Sequence, residues 1–226
     1  RGLRTTLLGR TPGWSPPGPA VGPWRGVWLE ARAHAVGDVW IDARLDGERG
    51  IVEVGAAIDA PKALLRVGEH TGELAPRDGR LRGACIVPDA ARWWPHTHGA
   101  PALYPISIDA GDFAIDLGRT GFRTIDFGGD CTVRVNGVPI FCRGACWTPL
   151  DARTLSATPA AYDAAIAQCA RAGMNMLRVS GATIYESDAF LDALDAHGIL
   201  LWQDLMFANM DYPYELPVAG ELAEQA

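Results

Sequence analysis

Between Val135 and Pro213 the chain sets three short apolar runs in series with two punctuated helical segments. Short apolar runs alternating with helical periodicity call for parallel strands joined by crossover helices. The strand signals are Pro139-Ile140-Phe141-Cys142-Arg143, Met174-Asn175-Met176-Leu177-Arg178-Val179 and Ile199-Leu200-Leu201-Trp202-Gln203-Asp204. Thr158 can cap the first helix, Pro159 suits its first turn, where an amide hydrogen is not needed, and Gly173 can end it in the left-handed region. Tyr162, Ala165, Ile166, Cys169 and Ala170 then share one face. Ser187 caps the second helix, Asp188 suits the positive end of its dipole, and Gly198 closes it, with Phe190, Leu191 and Leu194 expected as the buried stripe. Such units open a (β/α)8 barrel, which takes ~250 residues when complete. With a third strand signal so near residue 226, the barrel is expected to be incomplete.

The residues before this region obey a different period. From about Gly37 to Phe127, short alternating segments such as Val39-Trp40-Ile41-Asp42-Ala43-Arg44-Leu45 and Gly50-Ile51-Val52-Glu53-Val54 are separated by turn signals at Asp46-Gly47 and Arg77-Asp78-Gly79-Arg80. That is the pattern of an antiparallel β-sandwich. Ahead of it, the proline- and glycine-rich stretch around Gly13-Trp14-Ser15-Pro16-Pro17-Gly18-Pro19 leads into one strand and reads as the tail of an earlier domain. The expected organisation is therefore 1–33, 34–127 and 128–226.

Composition excludes several classes. A net charge of -7 with no long basic run argues against a nucleic-acid footprint. Five cysteines, an odd number with no CxxC pair, imply neither a disulfide framework nor a zinc site. His96 and His98 flank a turn without further clustered ligands, so no metal and no cofactor is expected. No apolar run approaches the ~20 residues that cross a bilayer. The chain opens at Arg1 without a signal pattern, as a fragment or processed product would, so export is left open; a soluble protein is expected, with the cytoplasm favoured over a secreted or periplasmic location.

The motifs resemble those of glycoside hydrolase family 2, in its β-mannosidase-like branch. Asn136-Gly137-Val138-Pro139-Ile140-Phe141-Cys142-Arg143-Gly144-Ala145-Cys146-Trp147-Thr148-Pro149, Ala172-Gly173-Met174-Asn175-Met176-Leu177-Arg178-Val179, Ile184-Tyr185-Glu186 and Gly198-Ile199-Leu200-Leu201-Trp202-Gln203-Asp204 are similar to the opening of that family's catalytic barrel. Trp24-Arg25-Gly26-Val27-Trp28-Leu29 resembles the strand closing its N-terminal sugar-binding domain. Trp93-Trp94-Pro95, Leu103-Tyr104 and Gly121-Phe122-Arg123-Thr124 resemble its immunoglobulin-like sandwich. The resemblance implies a retaining exo-β-glycosidase acting on a carbohydrate substrate through two glutamates, one an acid/base and one a nucleophile. Both glutamates belong to later strands, so the resemblance implies that this segment alone is inactive and that the rest of the parent polypeptide closes the barrel.

One wall of the active site should nevertheless be present, because barrel sites form at the C-terminal ends of the strands. By resemblance Arg178 holds the nucleophile carboxylate ionised, a task suited to a permanent charge and a fork of donors; otherwise it forms a structural ion pair. Ser180 should share its face. Trp147 offers either a stacking surface for a pyranose or rim packing. Asp204 either binds a sugar hydroxyl or ties down a loop. Cys146, Tyr185 and Trp14 complete the candidates. Glu186 is the one tempting catalytic carboxylate in the chain, but just before a helix cap it reads rather as a dipole residue, and Trp93 and Trp94 read as packing. Three positions depart from the family pattern. Ser180-Gly181-Ala182-Thr183 replaces a tryptophan and a glycine run, Trp14-Ser15-Pro16 replaces a Trp-Asp pair, and Cys146 stands where asparagine is usual. An altered terminal-sugar subsite follows. The alternative is a non-catalytic carbohydrate-binding or assembly module on the same scaffold.

Overall fold

The computed structural model describes residues 6–11, 13–15, 17–18, 24–27, 29, 34, 36–129 and 131–208. The chain divides into two compact units, Trp28–Phe141, and Arg1–Val27 together with Cys142–Ala226.

Period-two alternation builds the first of these. Its strands are β1 (Val36–Asp46), β2 (Arg49–Ile58), β3 (Ala63–Val67), β4 (His70–Arg77), β5 (Arg80–Val87), β6 (Tyr104–Asp109) and β7 (Ala114–Thr120). They pair antiparallel in the order β1-β2-β5-β4-β3-β6-β7. The first five residues of β4 pair with β3 and its last three with β5, so one strand joins the two halves of the seven-stranded sheet. Alternate residues Val52, Val54 and Ala56 of β2, Leu65 and Val67 of β3, Leu81 and Cys85 of β5, and Ile106 and Ile108 of β6 are buried together with Phe122. Each large aliphatic side chain buried this fully contributes about 1.5–3 kcal/mol. The strand transfer has a steric condition. A Cβ on Gly72 would lie 2.0 Å from the Ala84 carbonyl oxygen, and one on Gly83 would lie 2.1 Å from that of Glu73.

The region expected to begin the parallel sheet belongs instead to a hairpin. Strands β8 (Ile125–Phe127), β9 (Val133–Val135) and β10 (Val138–Ile140) form a small antiparallel sheet. Asn136 and Gly137, at φ 51° and 80°, make the two-residue turn that folds β10 back on β9. This Asn-Gly pair is a strong short-range hairpin signal, and it overrides the apolar run that follows it. The expectation of a first parallel strand at 139–143 is therefore corrected to β11 (Gly144–Trp147). Likewise, among the described residues 24–27 and 29 there is no strand where Trp24-Leu29 suggested one, and Trp28 lies outside the description.

In the second unit β11, α1 (Pro159–Arg171), β12 (Met176–Val179), α2 (Asp188–His197) and β13 (Leu200–Gln203) follow in turn, and the three strands are parallel in the order β11-β12-β13. Both helices keep their sequence signals: Thr158 accepts from the Ala161 amide, and Gly198 ends α2 at φ 66°. Ser187 occupies the N-cap without a side-chain cap bond, and Leu191 is exposed where Ala193 is buried, which shifts the stripe of α2 by part of a turn. Tyr162, Ile166, Leu177, Val179, Phe190, Leu194 and Ile199 form the core between helices and sheet.

A buried polar residue sets the alignment of these strands. Asn175 is fully buried; its Oδ1 accepts from the Arg143 amide at 2.8 Å, its own amide donates to the Arg143 carbonyl at 2.8 Å, and its carbonyl accepts from the Leu200 amide at 2.8 Å. One residue thus joins the entrances of all three strands.

Two outcomes follow from these contacts. Replacing Gly83 by Ala should destabilise the sandwich by about 1–3 kcal/mol in chemical denaturation, whereas Gly129→Ala, with open space around its Cα, should leave it unchanged. Asn175→Leu keeps volume but strands the Arg143 amide, and should cost the second unit about 1–3 kcal/mol, visible as faster limited proteolysis within residues 142–208.

Candidate functional site

Because paired positions on adjacent strands share a face, the register places Cys146, Arg178 and Trp202 in one row across β11, β12 and β13. All three are exposed, while Leu177 and Val179 turn to the helices. Arg178 donates from Nε to Asp204 Oδ1 at 3.1 Å and from a terminal nitrogen to Oδ2 at 2.7 Å, a bidentate fork. Its guanidinium carbon lies 5.7 Å from the centre of the Trp202 ring. Asp204 Oδ2 also accepts from the Gly181 amide at 3.2 Å, and the Asp204 amide donates to the Val179 carbonyl at 3.0 Å. Asp204 therefore both holds Arg178 and ties the loop after β12 to the end of β13.

Charge follows geometry here. Asp204 pushes the Arg178 guanidinium further above its ordinary range, with a smaller contribution from Cys146 on the neighbouring strand. Desolvation works to raise the Asp204 carboxyl, but the Arg178 fork and the Gly181 amide together hold it below its usual range.

The other expected site residues take distinct places. Trp147 is buried on the helix side, its ring 4.9 Å from that of Phe190, and its Nε1 donates to Glu186 Oε1 at 2.8 Å. Glu186 Oε2 accepts from the Tyr162 hydroxyl at 2.7 Å. Burial, and then this carboxylate, push the Tyr162 phenol up to about 12. The Tyr185 hydroxyl accepts from the Met206 amide at 3.4 Å, linking the same loop to the segment after β13.

Ser180 leaves the strand face to make a turn: its Oγ accepts from the Ala182 amide at 3.4 Å and its carbonyl from the Thr183 hydroxyl at 2.8 Å. The N-terminal segment docks on this turn. The Leu7 amide donates to the Ala182 carbonyl at 3.0 Å, Leu8 is buried with Leu155 and Ile184, and Arg25 donates to the Tyr185 carbonyl at 2.6 Å. Trp14 lies half-exposed in the same segment, and Ser15 Oγ accepts from the Gly9 amide at 2.7 Å. Pro16 lies outside the described residues.

Sequence reasoning misses Trp202 as a site residue, and it misses the two hydrogen bonds that Glu186 accepts. Alternation from Asp204 back through Trp202 was a usable signal for the first; none was available for the second, whose partners lie 39 and 24 residues away. Among the described residues no group of three or more His, Cys, Asp or Glu side chains could hold a metal ion, no disulfide joins the cysteines, and no helix is long and apolar enough to cross a membrane. Trp93 is buried in the sandwich unit beneath the Arg123 guanidinium.

Comparison with known proteins agrees with the motifs. No family model matches the chain. A β-mannosidase B of Aspergillus clavatus is 33% identical over 224 residues, covering 88% of this chain and 26% of its own length. The chain is similar in sequence to curated β-mannosidases. Among solved structures, a β-D-mannosidase from Dictyoglomus thermophilum superposes with a TM-score of 0.70 at 24% identity, over 85% of this chain and 27% of that one. A β-glucuronidase of Bacteroides uniformis has the same fold at a TM-score of 0.62 and 19% identity, over 76% of this chain and 23% of that one. This β-mannosidase-like chain spans about a quarter of the length of the curated relatives it matches.

The ion pair makes a pH prediction. Since the Asp204 carboxyl sits below its unfolded value, the stabilisation it provides is complete above the ordinary carboxylate pKa of about 3.9 and is lost as pH falls through the lower folded value. Thermal melts of Asp204→Asn should therefore lie below wild type at pH 7 and converge with it toward pH 2.

Proposed function

We propose that this chain is part of a retaining exo-β-glycosidase that hydrolyses O-glycosidic bonds of glycans or oligosaccharides, with a terminal-sugar subsite altered from that of β-mannosidases. The observation that carries the reading is the Arg178–Asp204 fork, set on the open face at the C-terminal ends of three parallel strands in a β-mannosidase-like chain. In this reading residues 1–33 are the tail of a sugar-binding β domain, 34–127 an immunoglobulin-like sandwich and 128–226 the first part of a TIM barrel. The two catalytic glutamates lie outside these 226 residues, and the segment by itself is inactive.

Arg178 then has a definite task. A retaining mechanism needs one carboxylate ionised as nucleophile about 5–5.5 Å from a protonated acid. Arg178 is close to half exposed beyond its fork with Asp204, so its free edge can meet a further anion while Asp204 keeps the guanidinium plane fixed. Ser15 and Ser180 support the altered subsite, because each hydroxyl oxygen accepts from its own turn's backbone where the family pattern has sugar-contacting groups. A site that loses a buried polar contact changes which sugar fits.

The complete polypeptide should release aglycone from an aryl β-glycoside with retention of anomeric configuration, read by NMR of the first-formed sugar. Arg178→Ala should lower kcat/KM at least ~100-fold, the scale expected when a preorganised electrostatic partner is removed. Absence of turnover across a panel of β-mannosides, β-glucosides, β-galactosides, β-glucuronides and β-glucosaminides would sink the proposal in favour of a binding module.

A further inference from the structure

Glu186 carries more structure than its place before a helix requires. One carboxylate oxygen receives the indole N–H of Trp147 at 2.8 Å and the other receives the phenol of Tyr162 at 2.7 Å. Trp147 ends β11, directly after Cys146, and Tyr162 belongs to α1. Both donors are buried, their rings packed on Phe190 of α2 at 4.9 and 5.8 Å. Next to Glu186, the Tyr185 hydroxyl accepts from the Met206 amide beyond β13. The dipeptide therefore reaches the C-terminal ends of β11 and β13 from the loop after β12, beneath the row formed by Cys146, Arg178 and Trp202.

We propose that Glu186 is a positioning residue of the glycosidase site, acting through the Trp147 indole to fix the end of β11 against β12 and so the spacing between the Cys146 and Arg178 positions. The inference rests on the glycosidase reading. It assigns Glu186 no contact with substrate and no proton transfer. A neutral hydrogen-bond acceptor at this position keeps part of the function, because the indole needs an acceptor rather than a charge, while the phenol responds to the charge itself.

The test uses the complete polypeptide with Glu186→Ala, Glu186→Gln and Trp147→Phe, the last keeping a ring over Phe190 while removing the N–H. Displacement of a site by about 1 Å costs on the order of 100-fold in rate, so kcat on an aryl β-glycoside should fall ~10–100-fold in Glu186→Ala and Trp147→Phe, with KM within about twofold, and Glu186→Gln should fall between these and wild type. In Glu186→Gln the Tyr162 phenol, titrated by its ultraviolet absorbance, should fall below about 12 but stay above its ordinary value, because burial, the larger cause of the rise, remains. Folded variants with wild-type kcat overturn the proposal. If Glu186→Ala does not fold, the other two variants decide by the same criteria. A wild-type polypeptide that cleaves no β-glycoside overturns the glycosidase reading and this proposal with it, a result distinct from active wild type matched by its variants.

Discussion

The arrangement of the candidate site depends on one buried amide side chain. Asn175 sits at the entrance to β12 and binds the backbone of β11 through Arg143, while its own carbonyl receives β13 through Leu200. A parallel sheet of four-residue strands has few ladder bonds with which to choose its register, and slipping one residue would turn every side chain to the other face. A fully buried polar group penalises that slip, because the partners it satisfies would be left without bonds in a dry interior. The row Cys146, Arg178 and Trp202 is a consequence of that alignment.

From this entrance the interactions are layered toward the other end of the strands. Apolar packing of α1 and α2 supplies most of the stability and says little about exact spacing. The polar contacts above it supply the spacing: Asp204 joins Arg178 to Gly181, Glu186 joins the end of β11 to α1, and Tyr185 reaches the segment after β13. Gly181 is needed for this, since a Cβ there would stand 2.3 Å from the Leu205 carbonyl oxygen. Residues 6–11 and Arg25 add a flank by bonding the carbonyls of Ala182 and Tyr185. The residues at this end of the strands are thus of two kinds, those that face the open side and those that hold the facing residues still.

Much of this was legible in advance where the signal was local. Helix limits followed from Thr158, Pro159, Gly173 and Gly198, and the sandwich strands from alternation broken by Asp46-Gly47 and Asp78-Gly79. The first parallel strand was misplaced because an apolar run looks the same in a hairpin and a buried sheet; the positive φ angles of Asn136 and Gly137 decided between them. Arg178 and Asp204 both stand out in the sequence, but their meeting does not, since 26 residues separate them.

Periodicity, caps, turns and the motifs similar to those of β-mannosidases are all written in residues within a few positions of one another. Packing between distant elements sets the rest: Trp147 faces the helices, Ser15 and Ser180 spend their hydroxyl oxygens on local backbone amides, and Glu186 binds two aromatic donors. The physical reason is range: a side chain's partner is chosen by register and packing between elements distant along the chain. Sequence pattern constrains that choice only through the faces it makes apolar.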